Sequence, residues 1–271
     1  MSTEELELVW NSIKAEARLL ANYEPMLASF FHATLLKHEN LGNALSYILA
    51  HKLSDTIMPA IAIREVVEEA YRSDPGMIFS AARDIHAVRF HDPVVDKYST
   101  PLLYLKGVHA LQAYRISHWL WYQNRQELAI YFQNQISVSF GVDIHPAARI
   151  GCGIMLDHAT GIVIGETAVV EDDVSILQSV TLGATGKISG DRHPKIREGV
   201  MIGAGATIIG NIEVGRRAKI GAGSVVLRSV PAYSTAAGVP ARVVDRPRNA
   251  RSSEELDQSF ITPGFECGAG I

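Results

Sequence analysis

Between residues 144 and 231 a small aliphatic residue returns at every sixth position. Ile144, Ile150, Leu156, Ile162, Ala168, Val174 and Val180 form one register, and Ile196, Ile202, Ile208, Val214, Ile220 and Val226 form a second. With 47% of the chain apolar, thirteen preset positions fill by chance with a probability of roughly 0.47 to the thirteenth power, below about one in ten thousand. A period of six fits neither the 3.6 of a helix nor a simple alternating hairpin. It suits a coil of short parallel strands that each turn one residue inward per corner. Three hexads make one triangular coil, so the pattern predicts about four stacked coils with a continuous aliphatic core.

Before this stretch, from 1 to about 140, the apolar period is helical. Leu6, Val9, Trp10, Ile13, Ala17 and Leu20 share one face, and Ser2 and Glu5 have the spacing of a capping box. Pro25, Pro59 and Pro75 suit first turns of later helices, the last with Asp74 as N-cap. One long helix is expected over about 102–123 and another over 126–139, for six to eight in all. Their aromatic content exceeds what a slender coil can hide, so they are expected to pack on one another and on a neighbouring subunit.

The two hexad registers are separated by sixteen residues rather than twelve, which implies four inserted residues. The segment GATGKISGDRHP, 183–194, must leave the coil there and carries Lys187, Asp191, Arg192 and His193. Rigid repeats present their chemistry on such excursions, although a solvated loop with incidental charges fits the same composition. After Pro231 the repeat closes, and from about 246 the chain is polar and aperiodic, which predicts a mobile tail ending in Ile271.

If one coil is eighteen residues, 138–143 lies directly below 156–161, and the side chains of Asp143 and His158 can converge. A carboxylate on one imidazole nitrogen leaves the other as a base near neutrality. A surface histidine and a turn aspartate are the bland alternative. Asp92 precedes Pro93, as at an ordinary helix start. Asp157 and Asp92 suit an ammonium, Arg192 a carboxylate, and His193 a further donor, which together suit a small zwitterion. His145, His158 and His193 raise the alternative of a three-histidine metal site, without a close His pair or a cysteine ligand to support it.

The net charge of −4 makes no general case for nucleic acid or an anionic membrane as partner. No apolar run reaches the length of a membrane span, and the acidic start lacks the regions of a signal peptide, so a cytoplasmic location is expected. Cys152 and Cys267 form no framework and read as reduced thiols.

The stretch DIHPAARIGCGIMLDHATGIVIGETAVVEDDVSILQSVTLGATGK, followed by GDRHPKIREGVMIGAGATIIGNIEVG, resembles bacterial serine O-acetyltransferases, and the likeness extends over essentially the whole chain. The resemblance implies an α+β fold with three parts. These are a helical oligomerisation domain over 1–140, a left-handed parallel β-helix carrying catalysis over 141–245, and a flexible tail over 246–271. It implies acetyl transfer from acetyl-CoA to the hydroxyl of L-serine in a ternary complex, with acetyl-CoA as co-substrate and neither cofactor nor metal.

Residue by residue, the same resemblance makes His158 the general base and Asp143 the group that orients it. Asp92, Asp157, Arg192 and His193 hold the amino acid, His193 also counting among the catalytic groups. Gly183, Ala184, Ala204 and Ala222 contact the acyl donor. L-Cysteine is implied as an inhibitor at the serine site, a homohexamer built as a dimer of trimers as the assembly, and O-acetylserine sulfhydrylase as a partner docking on Ile271.

Two departures stand out. Ala184 replaces a glycine of the family's TLGGTGK, costly if positive φ is needed there, and Ala269 stands where many relatives carry an acid. The competing readings are an acyltransferase for a sugar or another acceptor, a metal-dependent hydratase, and a protein whose task is to present Ile271.

Overall fold

The computed structural model describes residues 2–186 and 189–245. Lys187, Cys267, Ala269, Ile271 and the expectation of a mobile tail lie outside the described residues.

Eight α-helices occur among them. Helix α1, Thr3–Tyr23, starts with the predicted box: Ser2 N donates to Glu5 Oε2 at 2.6 Å and Glu5 N to Ser2 Oγ at 3.2 Å. Pro25 opens a 3-10 turn, Pro25–Leu27, rather than a full helix, and a short α2, Ala28–Phe31, runs into one π turn, His32–Leu36. Then come α3, Leu41–Leu53, α4, Ala60–Ser73, and α5, Gly76–His91. Pro75 rather than Asp74 is the N-cap of α5; Asp74 stands one residue before it, its Oδ1 accepting from Gly76 N at 2.9 Å.

The single helix expected over 102–123 is two. Helix α6 covers Ser99–Tyr104 and α7 covers Lys106–Tyr122, with Leu105 extended between them at φ −85°, ψ 110°. The apolar period runs through the break, so pattern alone could not show it. Tertiary contact explains it: a Cβ on Gly107 would stand 2.0 Å from the carbonyl oxygen of Leu156, so α7 must begin where it can lie directly on the coil. Helix α8, Gln126–Phe140, ends at Gly141 in the left-handed region at φ 68°, the common glycine stop.

The solenoid then rises coil by coil. The first coil has β1 Val142–Ile144, β2 Arg149–Ile150 and β3 Met155–Leu156. The second has β4 Ile162–Ile164, β5 Val169–Val170 and β6 Ser175–Ile176. The third has β7 Thr181–Gly183, β8 Lys195–Ile196 and β9 Met201–Ile202, and the fourth β10 Thr207–Ile209, β11 Glu213–Val214 and β12 Lys219–Ile220. β13 Val225–Val226, a bridge at Val230 and β14 Thr235–Gly238 make a fifth, and β15 Ala241–Asp245 folds back antiparallel on β14. Three parallel faces result: A from β1-β4-β7-β10-β13, B from β2-β5-β8-β11 and C from β3-β6-β9-β12-β14-β15.

The coils are not all eighteen residues. Val142 pairs with Ile162 and Met155 with Ser175, twenty apart; Thr181 pairs with Thr207, twenty-six apart; Lys195 pairs with Glu213, eighteen apart. Two residues are therefore inserted between β3 and β4, and eight, not four, between β7 and β8. The sequence count erred because inward positions come in pairs two residues apart. Ile162 and Ile164, or Val174 and Ile176, are all buried, and the counted register moved from one member of the pair to the other at 162.

Helices and coils share one core. Asp84 of α5, without solvent exposure, accepts from Gln112 Nε2 at 2.9 Å, Arg115 Nη2 at 2.7 Å and the backbone N of Ile154 at 2.9 Å. Arg115 also donates to Gly151 O at 2.8 Å. This buried cluster ties α5 and α7 to the corner just before β3. Among the described residues no helix is long and apolar enough to cross a membrane.

Candidate active site

The two-residue insertion is where His158 sits. His158 and Ala159 both adopt left-handed backbone, φ 53° and 57°, and Gly161 follows at φ 77°. Non-glycine residues in that region cost on the order of 1–3 kcal/mol each and persist where surrounding contacts hold them. Here Ala159 is fully buried, Gly161 N donates to Gly141 O at 2.7 Å, and Ser179 N donates to Thr160 O at 2.8 Å. The backbone is clamped while the His158 side chain is 72% exposed.

Asp157 and Asp92 stand beside it. Asp157 Oδ1 is 3.9 Å from His158 Nε2. Burial and the nearby Asp92 carboxylate raise the Asp157 carboxyl above its usual range, against the opposing pull of His158. Asp92 ends α5 rather than starting a helix, its Oδ1 accepting from Val94 N at 3.0 Å. A cavity of about 290 Å³ is lined by Asp92, Asp157 and His158 together with Tyr104, Lys106 and Met155.

Above His158 the same corner continues as a column. Leu177 N donates to Ile202 O, Gly205 N to Gln178 O and Gly223 N to Ala204 O, so Gln178, Ala204 and Ala222 succeed one another up the edge between faces C and A. Gly183 lies on β7 of face A and pairs with Ile209. Ala184 follows without left-handed backbone, which removes the cost anticipated for its methyl group.

Arg192 and His193 are elsewhere. They reach the corner between faces A and B, where Arg192 Nη2 donates to Glu166 Oε2 at 2.5 Å and Arg192 Nη1 to Gly190 O at 3.1 Å. Arg192 holds the Glu166 carboxyl below its usual range. The His193 ring is 7% exposed and stacked on Gly165, where a Cβ would stand 2.0 Å from Nε2. Thr167 N donates to His193 Nδ1 at 3.2 Å, which leaves the ring proton on Nε2. Burial, then Arg192, lowers the His193 pKa. Lys195 closes the loop, donating to Thr167 O, His193 O and Asp191 Oδ1.

Asp143 does not stack under His158. It stands opposite Val163 in the middle of β1 on face A, and its Oδ1 accepts from Gln133 Nε2 at 2.7 Å. Its charge acts on His145, whose pKa burial lowers and whose other charged neighbours are Glu166 and Arg192. The three histidines do not converge, since His158 occupies the other corner; among the described residues no group of three His, Cys, Asp or Glu side chains could hold a metal ion. Glu166, Thr167 and Lys106 were not named from the sequence. Glu166 and Thr167 lie twenty-six residues before Arg192 and His193, one long coil below, a spacing hidden by the miscounted register.

Two clusters at the two corners of one face, on a stack of six-residue turns, define the class. Residues 193–228 match the bacterial transferase hexapeptide model of six repeats, and residues 9–113 match the serine acetyltransferase N-terminal model. Serine acetyltransferase of Escherichia coli strain K12 is 76% identical over 273 residues, spanning all of both chains. A serine acetyltransferase solved in complex with cysteine superposes with a TM-score of 0.87 at 71% identity, covering 88% of this chain and 98% of its own. Another, solved in complex with CoA, gives 0.85 at 69%, covering 87% and 98%. The chain belongs to the serine acetyltransferase family and is a transferase.

Proposed function

We propose that the chain transfers acetyl from acetyl-CoA to the L-serine hydroxyl, giving O-acetyl-L-serine for cysteine synthesis, with His158 as the general base. The observation that supports it is the exposed imidazole on a clamped left-handed turn, beside Asp92 and Asp157 and below the column of Ala204 and Ala222. The serine ammonium lies on the two acids. An imidazole nitrogen of His158 takes the hydroxyl proton as the oxygen attacks the thioester carbonyl, and returns it to the CoA sulfur as the C–S bond breaks. Backbone N–H groups near Gly183 and Ala184 face the acyl donor, where one aimed at the oxyanion contributes a few kcal/mol, ~3.

Within one chain the two clusters lie at opposite edges of face A. Five or six residues at about 3.3 Å each separate them by roughly 16–20 Å, too far for one serine to bridge. Arg192, with its fork for the carboxylate, and His193 therefore come from a neighbouring copy, with Asp143 reaching the base across the same boundary. In this reading residues 1–140 join trimers into a hexamer, 141–245 carry catalysis in the cytoplasm, and 246–271 offer Ile271 to O-acetylserine sulfhydrylase. A related enzyme is solved with cysteine, which supports cysteine as an inhibitor in the serine subsite.

The test is CoA release from acetyl-CoA with L-serine or a panel of sugars as acceptor. Serine alone should drive release, and His158→Ala should lose at least about a hundredfold. Turnover with sugars, or an active His158→Ala, removes this reading.

A further inference from the structure

Lys106 is in neither cluster assigned above, yet it is the first residue of α7 and lines the His158 cavity. Its ammonium donates to Thr160 Oγ1. No carboxylate pairs with it among the described residues, so it is not the usual surface ion pair.

Three observations point the same way. The extended Leu105 breaks what would be one helix and restarts it at Lys106, facing the corner. Gly107 then approaches the Leu156 carbonyl too closely to tolerate a Cβ, which docks the start of α7 on the strand leading into Asp157 and His158. Thr160 is the last residue before Gly161 in the two-residue insertion, and its N donates to His158 O at 2.7 Å. A hold on Thr160 is thus a hold on the backbone of His158, two residues away, in a turn whose backbone is not relaxed.

We propose that Lys106 is a positioning residue for the reaction: through Thr160 it fixes the left-handed His158–Ala159 turn and so aims the imidazole over the cavity. This rests on the reading of His158 as the base. Backbone hydrogen bonds and the burial of Ala159 hold the turn from the coil side, and Lys106 adds a hold on the Thr160 side chain from the helix side; small misplacements of a reacting group cost large factors in rate.

The experiment is a double-mutant cycle in the full-length protein, measuring kcat and both KM values for CoA release with Lys106→Met, Thr160→Val and the pair. Each single variant should lose about tenfold in kcat with the acetyl-CoA KM unchanged, and the pair should lose no more than either alone. Lys106→Arg, which keeps a cationic donor, should recover most of the loss. Thr160 is exposed, so Thr160→Val keeps the test open if Lys106→Met folds poorly. Unchanged kcat in the single variants, or losses that multiply in the pair, overturn the proposal. An active His158→Ala sinks the base reading whatever the cycle shows; a Lys106→Met variant with unchanged kcat beside an inactive His158→Ala sinks this proposal alone.

Discussion

Asp157 shows how a single carboxyl can serve binding against stability. Burial, reinforced by Asp92, raises its pKa, so the folded chain holds this proton to a higher pH than the unfolded chain does. The stability it contributes is present below the ordinary carboxyl pKa and lost as pH rises through the raised value. Asp157→Asn should therefore raise the unfolding midpoint at pH 7, with the gain fading as the pH falls toward the ordinary value. The same variant should raise the serine KM; thermal melts at two pH values and initial rates check both. At this scale the structure brings Asp92, Asp157 and His158 to one cavity but sets Arg192 and His193 against Glu166 and Gly165 at the other corner, a division that side-chain chemistry in the sequence did not show. The sequence was silent on Thr160, Thr167 and Glu166, whose contacts with Lys106, His193 and Arg192 arise only from what the stacking places against them.

Among the elements, legibility followed locality. The Ser2–Glu5 box and the buried face of α1 depend on residues within a few turns, and both stand as read. The break at Leu105 and the true coil lengths depend on a long-range approach and on paired inward positions, and neither leaves a mark in a hydrophobic period. The cluster around Asp84 belongs here too, since it fastens two helices to the coil that leads into His158. Asp84→Ala strands the buried Arg115 charge and should cost about 3–5 kcal/mol in denaturant unfolding. An Asp84→Ala chain as stable as the parent would show that the cluster is not what joins them.

For the whole molecule, the proposed sharing of one site between two copies would make activity a property of the assembly. Chains carrying His158→Ala and chains carrying Arg192→Ala should each be inactive, while co-expression should restore about one quarter of the sites, those pairing an intact His158 with a neighbour's intact Arg192. Failure to restore any activity would place both groups of one site in one chain. A final consequence comes from the ends of the solenoid. A stack of parallel strands presents open backbone at its first and last coils, and identical molecules could add end to end without limit. Here α8 packs on β1, α5 and α7 pack on β3, and on face C the antiparallel β15 covers the last parallel strand. The helices that dock on the first coil thus also act as a stopper, covering the backbone on which a second solenoid could have extended the stack into a fibre.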